Sequence, residues 1–421
     1  MTWRFSRNTL LLLGGMSAIS FAYGFAIPNY PLYVELLGAS SSEFGLLVFV
    51  KMATLVTVMV PGGWFTDNFG PKYSLLIAGF TDFGSWLILS VAPTWHWVGI
   101  YSVLSGAAWG FTTGAWYVIL ANENPTREGT PNISAFAIGM LAHILPDAGG
   151  SLLGVGYFKL SGDIYSQSVL CTTFKLGAVF SLLELGFYAL IRTPTQIENT
   201  DPKAGSFSDF FSKTTIGFLG FSLSNLFIGL GTGMIFDFFP LYFVERFQVT
   251  PSVNSLLRFL SSLTIVGATL AVPIVSQKLG KVEIVYWTQS LVLPPVVLLA
   301  LERKRLWLAT VAYLARGMFI SMAYPAVASI TMSILDEENR GKGGSLWDFF
   351  WSGGYLIAPP ISGRLIQAQG FATSFYIASV CYGFSTLIFY FAARRSLSSQ
   401  AMKPPPSIPV SEAWHPTKDK Y

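Results

Sequence analysis

The chain has 421 residues, 52% of them hydrophobic and only 11% charged, with a mean hydropathy of +0.53. A soluble domain carries roughly 25% charged residues, so this chain lacks the polar surface of a water-soluble globule and reads as a polytopic membrane protein. Its net charge of +4 is spread over many short loops and offers no basic patch for nucleic acid.

Arg4 and Arg7 ahead of Leu10–Leu13 have the look of a signal-peptide start. The apolar run continues to about Pro28 without a cleavage site, so it is read as a retained first helix. A spanning helix needs roughly 20 mostly apolar residues. Candidate spans run over 9–36, 43–66, 73–92, 96–121, 132–160 and 168–191, then over 215–245, 252–276, 282–301, 305–335, 344–368 and 372–393. The expected fold is an all-α membrane protein with twelve transmembrane helices in two pseudo-symmetric six-helix bundles, residues 1–191 and 215–395. Residues 192–214 between them are polar and read as a cytoplasmic linker, with a short interfacial helix at Ser206–Phe211. Residues 396–421 contain Pro404-Pro405-Pro406 and read as a disordered tail. Cys171 and Cys381 both fall in apolar runs, which argues against a disulfide framework, and three histidines make a metal centre a poor fit.

Placing both termini in the cytoplasm puts the excess of Lys and Arg inside; the cluster Arg303-Lys304-Arg305 runs against it. The two halves repeat at a spacing of roughly 210 residues. Pro31-Leu32-Tyr33 matches Pro240-Leu241-Tyr242, and Thr66–Gly70 matches Ser276–Gly280. Arg127-Glu128-Gly129 matches Arg340-Gly341-Lys342, and Leu145–Gly150 is set against Ala358–Gly363.

Between the second and third spans lies PGGWFTDNFGPKY, Pro61 to Tyr73. Gly62 and Gly63 let backbones approach, and Gly70-Pro71 stops one helix and starts the next. This stretch resembles the signature loop of the major facilitator superfamily, G-x-x-x-D-x-x-G-x-[RK], here Gly63, Asp67, Gly70 and Lys72. The resemblance covers about residues 9–395 and implies a secondary transporter whose central cavity opens alternately to each side. It implies a gating loop in which Asp67 meets Arg127 and the start of the eleventh helix near Gly344 and Ser345. Gly280 and Lys281 form the weaker twin in the second half, and Arg340, matched to Arg127 by the repeat, is counted with the gating residues.

A charge at bilayer depth costs roughly 2.5–3.5 kcal/mol on insertion scales, so each one is a functional candidate. His143 and Asp147 stand four apart on the fifth span and share a face. Asp147 is the candidate proton carrier, His143 its partner, and Asp237 on the seventh span the alternative; the competing reading is that His143 and Asp147 only bond each other or a neighbouring backbone. The run Pro146-Asp147-Ala148-Gly149-Gly150 is similar to the fifth-helix signature of superfamily antiporters. Those antiporters carry an Arg in the fourth helix where this chain has Gly106. Arg316, on the tenth span, is expected to hold an anionic substrate or to pair with Asp147 or Asp237. In this fold helices one, four, seven and ten face the cavity, which makes Asn29, Tyr30, Tyr33, Trp109, Trp116, Tyr117, Arg316 and Tyr324 candidates for its lining. Lys51 is expected to pair with Asp82 across the helical hairpin.

No P-loop, H-E-x-x-H or nucleophile elbow is present, so neither nucleotide hydrolysis nor another enzyme activity is expected, and no cofactor. The reading is a monomeric plasma-membrane transporter of a small solute, with lipid and protons as its other partners. Proton-coupled export of amphipathic compounds is preferred. Uptake or passage of a metabolite such as a sugar or organic anion is the alternative. A channel, or an enzyme or receptor built on the same fold, is the reading from a different class.

Overall fold

The computed structural model describes residues 5–122, 133–192, 216–279, 281–333 and 340–401, and these are almost entirely helical. Eleven helical stretches among them are long and apolar enough to cross a membrane. A twelfth helix, Arg340–Gln369, is 30 residues long but richer in Gly, Ser and charge, and Gly354 and Gly363 bring it close to neighbouring backbones.

The N-terminal bundle contains α1 (Arg7–Ala26), α2 (Tyr30–Leu36), α3 (Ser41–Phe69), α4 (Pro71–Val91), α5 (Trp95–Asn122), α6 (Ile133–Leu160) and α7 (Gln167–Ala189). The C-terminal bundle contains α8 (Ile216–Ile235), α9 (Phe239–Phe247), α10 (Pro251–Leu279), α11 (Lys281–Leu291), α12 (Leu293–Leu301), α13 (Leu306–Ser333), α14 (Arg340–Gln369) and α15 (Phe371–Ala401).

Three expected spans are broken. The first bends through a short 3-10 turn at Ile27–Asn29, and the seventh breaks between Ile235 and Phe239. Pro28, Pro31 and Pro240 sit at these breaks, where each removes a backbone donor. The ninth span is two helices, because Pro294 and Pro295 interrupt its ladder after Leu291. The last helix continues to Ala401, so residues 396–401, expected in the tail, belong to it. The Ser206–Phe211 helix, the rest of the linker except Arg192, and the tail beyond 401 lie outside the described residues.

Helix ends follow local chemistry. Ser40 and Glu43 form a capping box at the start of α3. At its other end Gly70 alone links α3 to α4, with φ of 92°, a conformation that favours glycine. Glu302 accepts the amides of Arg303, Lys304 and Arg305 through Oε1 at 3.0, 2.9 and 2.9 Å, and so caps the start of α13. Those three amides hold the Glu302 carboxyl below its usual range.

The duplication is visible in bonds as well as in sequence. Tyr33 donates to the Leu89 carbonyl at 3.0 Å, and Tyr242 donates to that of Leu299 at 2.9 Å. Ser151 donates to Gly24 O, and Ser362 to Met234 O. Each pair lies roughly 210 residues apart, the spacing of an internal repeat. These bonds match Ser151 with Ser362, whereas the sequence pattern set Gly149 against Ser362. The crossing point of the helices sets the register, and a shared Gly and Pro composition does not locate that point.

Within each bundle, backbones meet where side chains are absent. A Cβ on Gly24 would stand 1.9 Å from the Asp147 carbonyl oxygen, and one on Gly150 would stand 1.9 Å from that of Phe21. The two bundles are joined in the half away from the chain termini. There α3 crosses α14, with Gly45 against the Pro359 carbonyl, and α6 crosses α10, with Gly154 against Ser255.

Candidate transport site

A buried carboxylate needs donors, and the fold supplies them to Asp147 from the opposite bundle. Asp147 is 5% exposed. Arg258 on α10 donates to it through Nε at 3.2 Å and through Nη2 at 3.0 Å, one bond to each carboxylate oxygen. Ser262, one turn further on, donates to Oδ2 at 2.7 Å. This is the one ion pair among the described residues. The two-point contact between guanidinium and carboxylate is directional and charge-assisted.

Asp147 and His143 share one face as the spacing implies, but they are not bonded to each other. The His143 ring nitrogen Nδ1 pairs with the Ser20 hydroxyl on α1, and its ring stands edge-on to Trp109 at 5.7 Å. Neither does Arg316 pair with Asp147 or Asp237. It is 4% exposed, donates to the Tyr382 hydroxyl at 2.8 Å, and lies 5.5 Å from the Phe239 ring centre and 5.9 Å from that of Phe236. Asp237 accepts from Tyr355 at 2.5 Å.

The central cavity forms where the broken first and seventh spans meet α3, α10 and α13. Its wall includes Tyr30, Phe44, Phe236, Asp237, Phe239, Asn254, Leu257, Arg258 and Tyr313. Aromatic faces with a few fixed polar groups suit an amphipathic guest.

The other candidates fall elsewhere. Asn29 is fully buried and donates to the Pro251 carbonyl at 3.3 Å and to Ser255 at 3.2 Å, so it seals the two bundles together. Tyr33 is also fully buried, inside the N-terminal bundle against Phe174, and is removed from the cavity. Its bond to Leu89 holds it there. Trp109 donates to the Tyr23 hydroxyl at 3.2 Å. Trp116 packs against the core near the termini with Leu12, Leu75 and Leu120. The side chains of Tyr117, Tyr324, Lys281 and Arg340, and residues Arg127 and Gly280, lie outside the described residues.

In the signature loop Asp67 is exposed, Lys72 is partly buried, and the Gly63 Cα lies 3.3 Å from where a Cβ on Gly114 would stand. Gly106 explains why no Arg occupies its position: a Cβ there would be 2.3 Å from the Lys51 carbonyl oxygen. Lys51 makes no ion pair with Asp82; its ammonium stands 5.5 Å from the Tyr23 ring centre and 5.8 Å from that of Tyr101.

Outside the spans, Asp163 closes a further polar contact between the bundles. Its carboxylate accepts the Ser252 amide at 2.9 Å and the Ser252 hydroxyl at 2.7 Å, at the start of α10. Burial pushes the Asp163 carboxyl up, but Ser252, Thr250 and Lys159 lower it further, so it rests below its usual range.

Arg258 and Ser262 stand outside the residues expected from the sequence. Arg258 lies in an apolar span, and the cost of a charge at bilayer depth singles it out as it does Asp147. Nothing in the sequence singles out Ser262.

A family model described as Major Facilitator Superfamily matches residues 12–303 and 221–417. The chain is 21% identical over 383 residues to the quinolone resistance protein NorA of Staphylococcus aureus, spanning 86% of this chain and 91% of that protein. Over 169 residues it is 29% identical to a probable anion transporter 7 of Oryza sativa subsp. japonica, spanning 39% of this chain and 36% of that protein. Among solved structures, a bacterial homolog of the human lysosomal transporter Spinster, inward-facing and unoccupied, superposes with a TM-score of 0.74 at 14% identity, covering 95% of this chain and 98% of that one. The nucleoside transporter NupG superposes with a TM-score of 0.66 at 13% identity, covering 92% and 98%. At such identities these likenesses concern the fold.

Proposed function

The chain belongs to the Major Facilitator Superfamily, and from that premise we propose that it exports a small amphipathic solute by alternating access, in exchange for protons. The observation that carries this reading is the bond from Arg258 and Ser262 to Asp147 across the bundle interface. A bidentate pair between two rocking bodies can be exchanged for a proton. With Asp147 ionised, Arg258 holds the half away from the termini closed. With Asp147 protonated, the charge term of that contact is lost and the bundles can part there. The aromatic wall of the cavity supports an amphipathic substrate, and the similarity to a quinolone resistance protein supports export.

A second reading, passage of an organic anion, is favoured by one feature. Arg258 and Arg316 both lie near Phe236, at 6.0 and 5.9 Å from its ring centre, so two guanidinium groups adjoin one aromatic ring. We place the protein in the cell membrane as a monomer with both termini in the cytoplasm. The test is transport by purified protein in liposomes with and without an imposed pH gradient, using an amphipathic fluoroquinolone and a small aromatic carboxylate as alternative substrates. Uphill accumulation of the former that needs the gradient, and is lost in Asp147→Asn, is the expected result. Gradient-independent passage of the carboxylate alone would overturn it in favour of the second reading.

A further inference from the structure

The N-terminal bundle encloses another cavity, which shares no lining residue with the central one. Two carboxylates border it, Asp82 on α4 and Glu184 on α7, 4% and 3% exposed. Their surroundings differ. Asp82 accepts from Tyr23 at 3.4 Å, from Ser85 at 3.4 Å and from the Trp86 indole at 3.3 Å. Glu184 has no such set. Its Oε2 is buried without a hydrogen bond of normal geometry, and the side chain that faces it is the hydroxyl of Tyr188, one turn along the same helix and bordering the same cavity.

An ionised carboxylate in that position would carry an uncompensated charge in a low-dielectric interior, and such groups are neutral instead. A second carboxylate in the same cavity disfavours ionisation further. We propose that Glu184 is a proton-binding site of this protein, holding the proton while Asp82 stays ionised on its three donors. Glu184 O–H is the protonated form, and the proton leaves to water when rearrangement of the bundle wets the cavity.

The groups facing this pair assign the charges. Tyr23 comes from α1, Lys51 from α3, Tyr101 from α5, His143 from α6 and Tyr188 from α7. Lys51 is the positive side chain that acts on Asp82 among the described residues. The tyrosines stay neutral at physiological pH, which leaves Asp82, Glu184 and His143 as the groups able to exchange a proton there. His143 borders the cavity and stands one turn from Asp147, so a released proton has a titratable neighbour toward the central site. A metal ion fits poorly: Asp82 is already occupied by donors, and no group of three metal-binding side chains occurs among the described residues.

The part of Glu184 in transport rests on the proton-coupled reading above, but its protonation does not. The test is infrared titration of the purified full-length protein in detergent, which reads protonated carboxyl groups without transport. At neutral pH the wild type should show a protonated carboxyl stretch that is lost in Glu184→Gln and retained in Asp147→Asn. Heavy-carbon labelling of the glutamate carboxyls should shift the same band in unsubstituted protein, so the assignment holds even where a variant folds badly. Glu184→Leu should keep the melting temperature within a few degrees, as expected for replacing a neutral buried group. A band untouched by Glu184→Gln, or unshifted by glutamate labelling, overturns the proposal. So does a band abolished by replacing choline chloride with sodium chloride, which would make the ligand an alkali ion. If the band behaves as expected but no proton flux accompanies transport, the site stands and the export reading fails.

Discussion

Arg258 reaches from α10 to both carboxylate oxygens of Asp147 on α6, while His143, one turn from Asp147 on the same helix, turns to Ser20 instead. The buried carboxylate of the central site is thereby bound to the opposite bundle, so the contact it makes is part of what holds the bundles together.

Asp147→Asn removes the ion pair and leaves the guanidinium unmatched. Breaking one side of a buried pair costs roughly 3–5 kcal/mol, and less here because the Arg258 side chain is 32% exposed to the cavity. The half away from the termini should loosen. A thiol reagent should label Ile27→Cys, on the wall of the central cavity, several-fold faster in the Asp147→Asn background, in a protein lacking Cys171 and Cys381. Combining Asp147→Asn with Arg258→Leu should recover part of the lost melting temperature. Equal labelling rates in both backgrounds would show that the pair does not hold the seal.

The helix crossings predict a contrast among glycines. Gly24→Ala would force a methyl group onto the Asp147 carbonyl, a backbone atom that cannot turn aside. Overpacking typically costs roughly 1–3 kcal/mol, and a backbone collision lies at the upper end. Folded yield on size exclusion should fall sharply. Gly63→Ala and Gly156→Ala meet nothing within 4 Å and should leave that yield unchanged.

Asp163 predicts an acid sensitivity of the closed half. Its folded carboxyl lies below the ordinary value of 3.8, so its contribution is complete above that value and is lost as pH falls through the lower folded one. Melting curves of wild type and Asp163→Asn should differ at neutral pH and converge in strong acid. A difference that grows on acidification would contradict the assignment.

The signature loop predicts a functional effect without a stability effect. Asp67 is exposed, and exposed substitutions usually change stability by less than about 0.5 kcal/mol. Asp67→Asn should melt like the wild type yet transport more slowly, because the latch inferred for it belongs to the state closed on the side of the termini. Wild-type transport rates in Asp67→Asn would remove the loop from the gating mechanism.

Sidedness is open to labelling in the same cysteine-free protein. Ile164→Cys, exposed in the loop between α6 and α7, should react with an impermeant reagent from outside. Ser206→Cys should react only after the membrane is opened. The reverse pattern would invert the orientation proposed from the Lys and Arg distribution.

Much of this molecule is written in contiguous residues. Runs of apolar side chains mark the spans because lipid admits few other solutions, and Gly70-Pro71 marks its hairpin because few residues can make that turn. The halves can be matched from local motifs, and Asp147, Asp237 and Arg316 stand out because charge at bilayer depth is costly. Pairing is a different matter. Asp147 and Arg258 are 111 residues apart, and their meeting depends on how α6 and α10 rotate and cross. The same dependence placed Tyr33 inside its bundle, set Lys51 over two rings instead of against Asp82, and shifted the match between α6 and α14 by two residues. Hydropathy and turn chemistry act over a few neighbouring residues and can be read along the chain. The azimuth of a helix and its crossing point result from all of its packed faces together, so the partners of the buried charges emerge only when the helices are assembled.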